Sequence, residues 1–170
     1  MSRLLPDTVD AWRMVAAGRS FQGSLPLSRM SRLAPSLADT DGVVTFDLQF
    51  TRDALGVAQL LVHVETALPL ICQRSLERFA LPVNLDNRLG LIEHERDEAG
   101  LPSDCEPLLL EDGQLSLLAV VEDELLLALP LIPVNPDSEP VETSDDVEQA
   151  AAPQATPSPF AVLGEMMKKN

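Results

Sequence analysis

Glu122, Asp123 and Glu124 stand together inside the most apolar stretch of the chain, Gly113–Pro133. Three adjacent carboxylates can hold a basic partner, or can simply keep one side of a helix in water. General acid–base work would need further groups converging on them in a pocket, and the sequence names none. The other reactive side chain is Cys72, in Cys72-Gln73-Arg74-Ser75. This tetrad has the outline of a C-x-x-C knuckle with serine at the second thiol position. A nucleophilic cysteine needs a histidine beside it, and nothing in the spacing puts His63 or His94 there. Two histidines and two cysteines, far apart in sequence, do not compose a metal site, so no metal or cofactor is expected. Phosphate-binding glycine loops, a nucleophile elbow and a zinc-protease helix are absent. No catalytic residue is therefore named. Arg29 and Arg32 form the tightest arginine pair and, with Arg13, Arg19 and Arg74, are the candidates for phosphate contact.

The elements that position these groups follow from periodicity. Leu117–Leu129 reads as a helix: Ser116 can cap it, Pro130 stops it, and Leu117, Leu118, Val121, Leu125, Ala128 and Leu129 share a broad face. Leu126 and Leu127 widen that face, so the helix should be mostly covered. The triplet falls roughly on the other side, as a solvated face or a docking surface. A membrane span would take about 20 apolar residues with few charges, which this stretch does not provide.

Upstream, Asp7–Ala17 reads as a short helix capped by Asp7, with Trp12 as a core or docking anchor. Arg19–Leu25 is a short strand, and Ser28 caps a second short helix, Arg29–Ala34, ended by Pro35. Val44–Phe50 alternates strictly and is the clearest strand. Arg52–Gly56 suits a hairpin, and Leu60, Val62 and Val64 return with His63 on the polar side. Pro69 interrupts. Arg78–Leu85 is a third strand, placed at an edge or bulge by Pro82, and Leu89–Ile92 continues the pairing. Glu93–Cys105 is a loop leading to a strand at Glu106–Leu110. No crossover helix separates these strands. The expected fold is therefore α+β: an antiparallel sheet with helices packed on one face.

Charge is unevenly spread. The whole chain carries −15, of which residues 1–96 hold −1 and residues 97–170 hold −14, while residues 1–34 are at +3. Such a balance suits meeting basic proteins better than binding phosphates. Residues 135–159 contain five prolines, six acids and no Lys or Arg. The expected organisation is a domain at 1–134, a disordered acidic linker at 135–158 and a terminal peptide at 159–170. Phe160, Leu163, Met166 and Met167 would make one side of a short helix there, for a partner or for the domain itself. Met1–Pro6 leads directly to Asp7 and Asp10 without an apolar leader, so a cytoplasmic protein with reduced thiols at Cys72 and Cys105 is expected, a disulfide between them being the alternative.

Cys72-Gln73-Arg74-Ser75 with Phe79, the run Leu117–Glu124 into Leu127-Ala128-Leu129-Pro130 and Pro133-Val134, and the closing Pro159–Leu163 together resemble the YceD family of bacterial large ribosomal RNA subunit accumulation proteins. The resemblance spans Asp7 to Lys169. It implies a cytoplasmic, non-enzymatic factor supporting synthesis, processing or stability of 23S ribosomal RNA. Implied partners are 23S rRNA or its precursor particle, contacted through Arg13, Arg19, Arg29, Arg32 and Arg74 if the fold gathers them. The charge offers an alternative: an adaptor for a basic ribosomal protein, docked on Glu122, Asp123, Glu124, Phe160 and Leu163. Neither a membrane nor a small-molecule substrate is expected. Family members typically show C-x-x-C at the first motif, and many have further cysteines after L-P-x-x-P, which suggests a zinc knuckle. Ser75 and the cysteine-free segment Val134–Pro140 depart from that pattern. The local turn must then be held by packing and backbone hydrogen bonds.

Overall fold

In chain order the elements are β1 (Val9–Asp10), α1 (Ala11–Ala16), β2 (Ser20–Pro26), β3 (Val43–Arg52), β4 (Ala58–Ile71), β5 (Arg78–Ile92), β6 (Glu106–Leu109), β7 (Gln114–Leu115) and α2 (Leu117–Ala128). They are those of a computed structural model, which describes residues 5–139. The linker beyond 139 and the terminal peptide with Phe160 and Leu163 lie outside the described residues.

Alternation builds the sheet. Val44, Phe46, Leu48 and Phe50 of β3 are buried while Thr45, Asp47 and Gln49 turn to the other face. The strands run in the order β2-β3-β4-β5-β6. The β3–β4 hairpin closes on Asp53, whose Oδ1 accepts from Leu55 N–H (2.9 Å) and Val57 N–H (2.8 Å). Gly56 completes that turn at φ +85°, where a side chain would be strained.

The sheet is mixed, not antiparallel throughout. β6 runs parallel to β5, with Leu89 opposite Glu106 and Ile92 opposite Leu109. The loop Glu93–Cys105, with a 3₁₀ turn at Glu95–Gly100, serves as the crossover in place of a helix. It lies so close that a Cβ on Gly90 would stand 2.6 Å from Leu101 Cδ2. Pro69 does not interrupt β4, which continues opposite Ala80. Pairing with β3 stops at Glu65, so no β3 ladder is broken by the missing N–H. Pro82 likewise lies where β5 has no strand on its far side, because β6 begins pairing only at Leu89.

Against one face of the sheet pack α1, α2 and the segment between β2 and β3. Leu27, Met30, Leu33, Leu48, Leu60, Leu68, Leu117 and Leu125 are fully buried there. Each such leucine contributes about 2 kcal/mol from the apolar area it removes from water. α1 starts four residues later than the helix expected at Asp7–Ala17, because Val9 and Asp10 pair with Leu115 and Gln114. Asp10, not Asp7, caps it, accepting from Arg13 N–H at 2.9 Å. The helix expected at Arg29–Ala34 is instead two 3₁₀ turns, Leu27–Arg29 and Ala34–Ser36. Only Ala34 N–H makes a helical bond there, to the Met30 carbonyl (2.9 Å), because a side chain from α2 takes the N–H groups of Arg32 and Leu33. Ser116 caps α2 through Ala119 N–H, and the chain leaves helical geometry at Leu129, before Pro130. Coverage of α2 is incomplete: Leu127 is 76% exposed. No helix among the described residues is long and apolar enough to cross a membrane.

Candidate functional site

The acidic triplet does not form one surface. Glu122 and Glu124 are only 4% and 5% exposed, which leaves Asp123 alone facing water. Glu122 reaches across to the segment after β2. Its Oε1 accepts from Arg32 N–H (2.7 Å) and Leu33 N–H (3.1 Å), and its Oε2 accepts from Arg32 Nε (3.1 Å). Arg32 also donates to Asp123 Oδ1 (2.5 Å) and to the Ala119 carbonyl (3.1 Å). Asp123 first, then Glu122, holds the Arg32 guanidinium above its ordinary pKa. Glu124 accepts from Asn87 Nδ2 of β5. Burial pushes its pKa up, and the Asn87 amide opposes that only in part. Two of the three expected docking carboxylates are thus structural, and the helix face expected to be solvated is packed.

The arginines are not gathered. Arg13 lies on α1, Arg19 just before β2 and Arg29 in a 3₁₀ turn; all three are exposed, with no carboxylate in ion-pair reach among the described residues. Arg32 is consumed by α2. Arg74 donates to Ser138 Oγ (3.0 Å) and to the Asn135 carbonyl (2.9 Å). The Arg19 carbonyl accepts from Phe50, which pairs with Leu60, whereas Arg74 lies beyond Ile71. At ~3.3 Å per strand residue, that separates Arg19 from Arg74 by roughly 35 Å.

Cys72 opens the β4–β5 turn and organises it. Its Sγ receives the N–H groups of Arg74 and Ser75 (3.4 Å each) and of Asn135 (3.3 Å), and meets Ser138 Oγ at 3.3 Å. Burial alone would push the thiol up, but the Ser138 and Ser75 hydroxyls and the backbone N–H groups outweigh it and hold it at about 6. Asn135–Ser138, assigned to the linker by composition, therefore belong to this turn. The donor set here is one thiolate, two hydroxyls and an amide, with an arginine already placed against it. That set does not fit zinc, which takes thiolate, imidazole or carboxylate. Among the described residues no group of three or more His, Cys, Asp or Glu could hold a metal ion. Cys105, at the end of the crossover loop, differs: burial pushes its thiol up.

The opposite face of the sheet is covered by the crossover loop at its Gln59–Gly90 end, where Leu101 and Cys105 lie over Gly90; toward His63 and Glu65 its side chains are exposed or half-buried among the described residues. A transverse row runs through it in register: Gln22 beside Asp47, Asp47 beside His63, His63 beside Asp86. Gln22 Nε2 donates to Asp47 Oδ2 at 2.6 Å, and His63 Nδ1 lies 2.8 Å from Asp86 Oδ1. Asp86, aided by Glu65, raises the His63 pKa. Sequence alternation put Asp47 and His63 on the polar side. Their alignment with Asp86 was not readable, because it depends on cross-strand register.

Residues 60–167 match the family described as "Large ribosomal RNA subunit accumulation protein YceD". A protein of Haemophilus influenzae with the same description is 26% identical over 169 residues, covering 97% of this chain and 97% of its own. No solved structure gives a significant match.

Proposed function

The chain belongs to the YceD family, and from that premise we propose that it supports accumulation of large-subunit ribosomal RNA by holding a basic protein partner, without a chemical step of its own. The observation that carries the protein mode is the fate of the arginines. Arg32 is bound to Glu122 and Asp123, and Arg74 to Ser138 and backbone carbonyls, which removes two of five phosphate-contact candidates. The acid excess repels a phosphate backbone and attracts polycations. Phe160 and Leu163 are proposed as apolar anchors for the same partner.

Direct contact with 23S rRNA or its precursor is the second reading, favoured by exposed Arg13, Arg19 and Arg29. Complementation of a strain lacking the gene tests the first reading, with the ratio of large- to small-subunit rRNA as readout. The wild-type chain should restore the ratio, and Arg13→Glu with Arg19→Glu and Arg29→Glu should restore it equally. Failure of that triple variant, folded and expressed, would replace the protein mode with direct RNA contact. Failure of the wild-type chain would sink the role itself.

A further inference from the structure

Beside the crossover loop, the part of this face left open by the described residues contains a hollow of about 380 Å³ bordered by Asp47, Gln49, Leu61, His63, Asp86 and Arg88. The flanking residues of the same face are Glu65, with its partner Asn84, and Asp104, with its partner Arg88. Four carboxylates thus stand against one arginine and one histidine. Arg88 is already engaged by Gln59 Oε1 (2.8 Å) and Asp104, and His63 by Asp86 and Glu65. Asp47 Oδ1 is buried in the wall with no donor among the described residues. The crossover loop that ends beside Asp104 in sequence also carries the exposed acids Glu95, Asp97 and Glu98.

We propose that this open face docks an arginine-bearing segment of a basic protein, with one guanidinium seated over Leu61 between the Asp47 and Asp86 rims. A guanidinium brings five donors and no acceptor, which suits a hollow whose rim accepts and whose own cation is spent. The arginine stem is apolar and covers Leu61. A phosphate backbone would meet carboxylates instead. This deepens the protein-contact reading above and rests on it.

The test is a titration of the full-length protein with a fluorescent arginine-rich nonapeptide, together with amide chemical-shift mapping. Shifts should centre on Asp47–Gln49 and Leu61–His63. Asp47→Asn with Asp86→Asn should weaken the peptide at least tenfold without moving the unfolding midpoint. Glu95→Gln with Glu98→Gln removes equal charge nearby and should weaken it less than threefold. Equal losses in the two pairs, or shifts confined to other surfaces, would overturn the proposal. A chain that holds the peptide here but fails to restore rRNA overturns the functional role and leaves the docking face. A chain that restores rRNA and shows no shift here does the reverse.

Discussion

The two faces of the sheet use the same residue type in opposite ways. On the covered face Glu122 and Glu124 are buried and bonded inward, to a loop and to a strand. On the open face Glu65 and Asp86 remain beside water and Asp47 is half-buried, each tied only to a neighbouring amide or imidazole. A carboxylate under a packed layer must be satisfied by the protein, and so specifies the fold. A carboxylate left in solvent costs little to keep and remains available to a partner.

The largest expected effect lies on the covered face. Glu122→Ala strands two backbone N–H groups and one arginine, and should cost about 3 kcal/mol in urea unfolding of the full chain. Asp123→Ala, one residue along but exposed, should cost less than about 0.5 kcal/mol. Equal losses would show that position on the helix, not burial, decides.

Cys72 tests the same rule with a thiolate. Its folded pKa lies below the ordinary thiol value, so its contribution is present above an unfolded pKa near 8.5 and lost as pH falls through about 6. Stability of the wild-type chain should therefore fall across that window relative to Cys72→Ala. Parallel pH profiles for the two proteins would show that the turn is held without the thiolate.

Glu124→Gln should be the gentler change, within about 1 kcal/mol of wild type at neutral pH and on the stabilising side. Burial raises the folded pKa of Glu124. Its favourable contribution is present below an unfolded value near 4.3 and lost as pH rises through the folded one. The wild type should thus lose stability over that rise while the glutamine variant does not. A glutamine variant several kcal/mol less stable would mean that ionised Glu124 holds the helix to β5.

The smallest effect belongs to the open face. The imidazole titration of His63, followed by NMR, should have its midpoint above the usual ~6.5 and drop when Asp86 becomes Asn. An unmoved midpoint would place Glu65 or Asp47 as the dominant neighbour.

Much of this fold was legible. Strict alternation located β3 and β4, and Ser116 and Pro130 bracketed α2 closely. What escaped depends on distant partners. β1 forms because β7 lies beside it, and no local pattern distinguishes Val9–Asp10 from the start of a helix. Glu122 looks solvated until Arg32 and Leu33 arrive from 90 residues and 89 residues away. β6 is parallel because the crossover loop folds over Gly90, a contact that residue type does not announce. Of the candidate site, Asp47 and His63 were visible as polar-face residues, but their row required register. Phe160 and Leu163 lie outside the described residues.

The central claim is that this protein meets its partner through an acidic open face and not through its arginines. A photo-crosslinking side chain placed at Leu61, and separately at Arg29, tests it in living cells. Protein adducts from position 61, with no RNA adducts from position 29, are the predicted result. RNA adducts from position 29, with none of any kind from position 61, would contradict it.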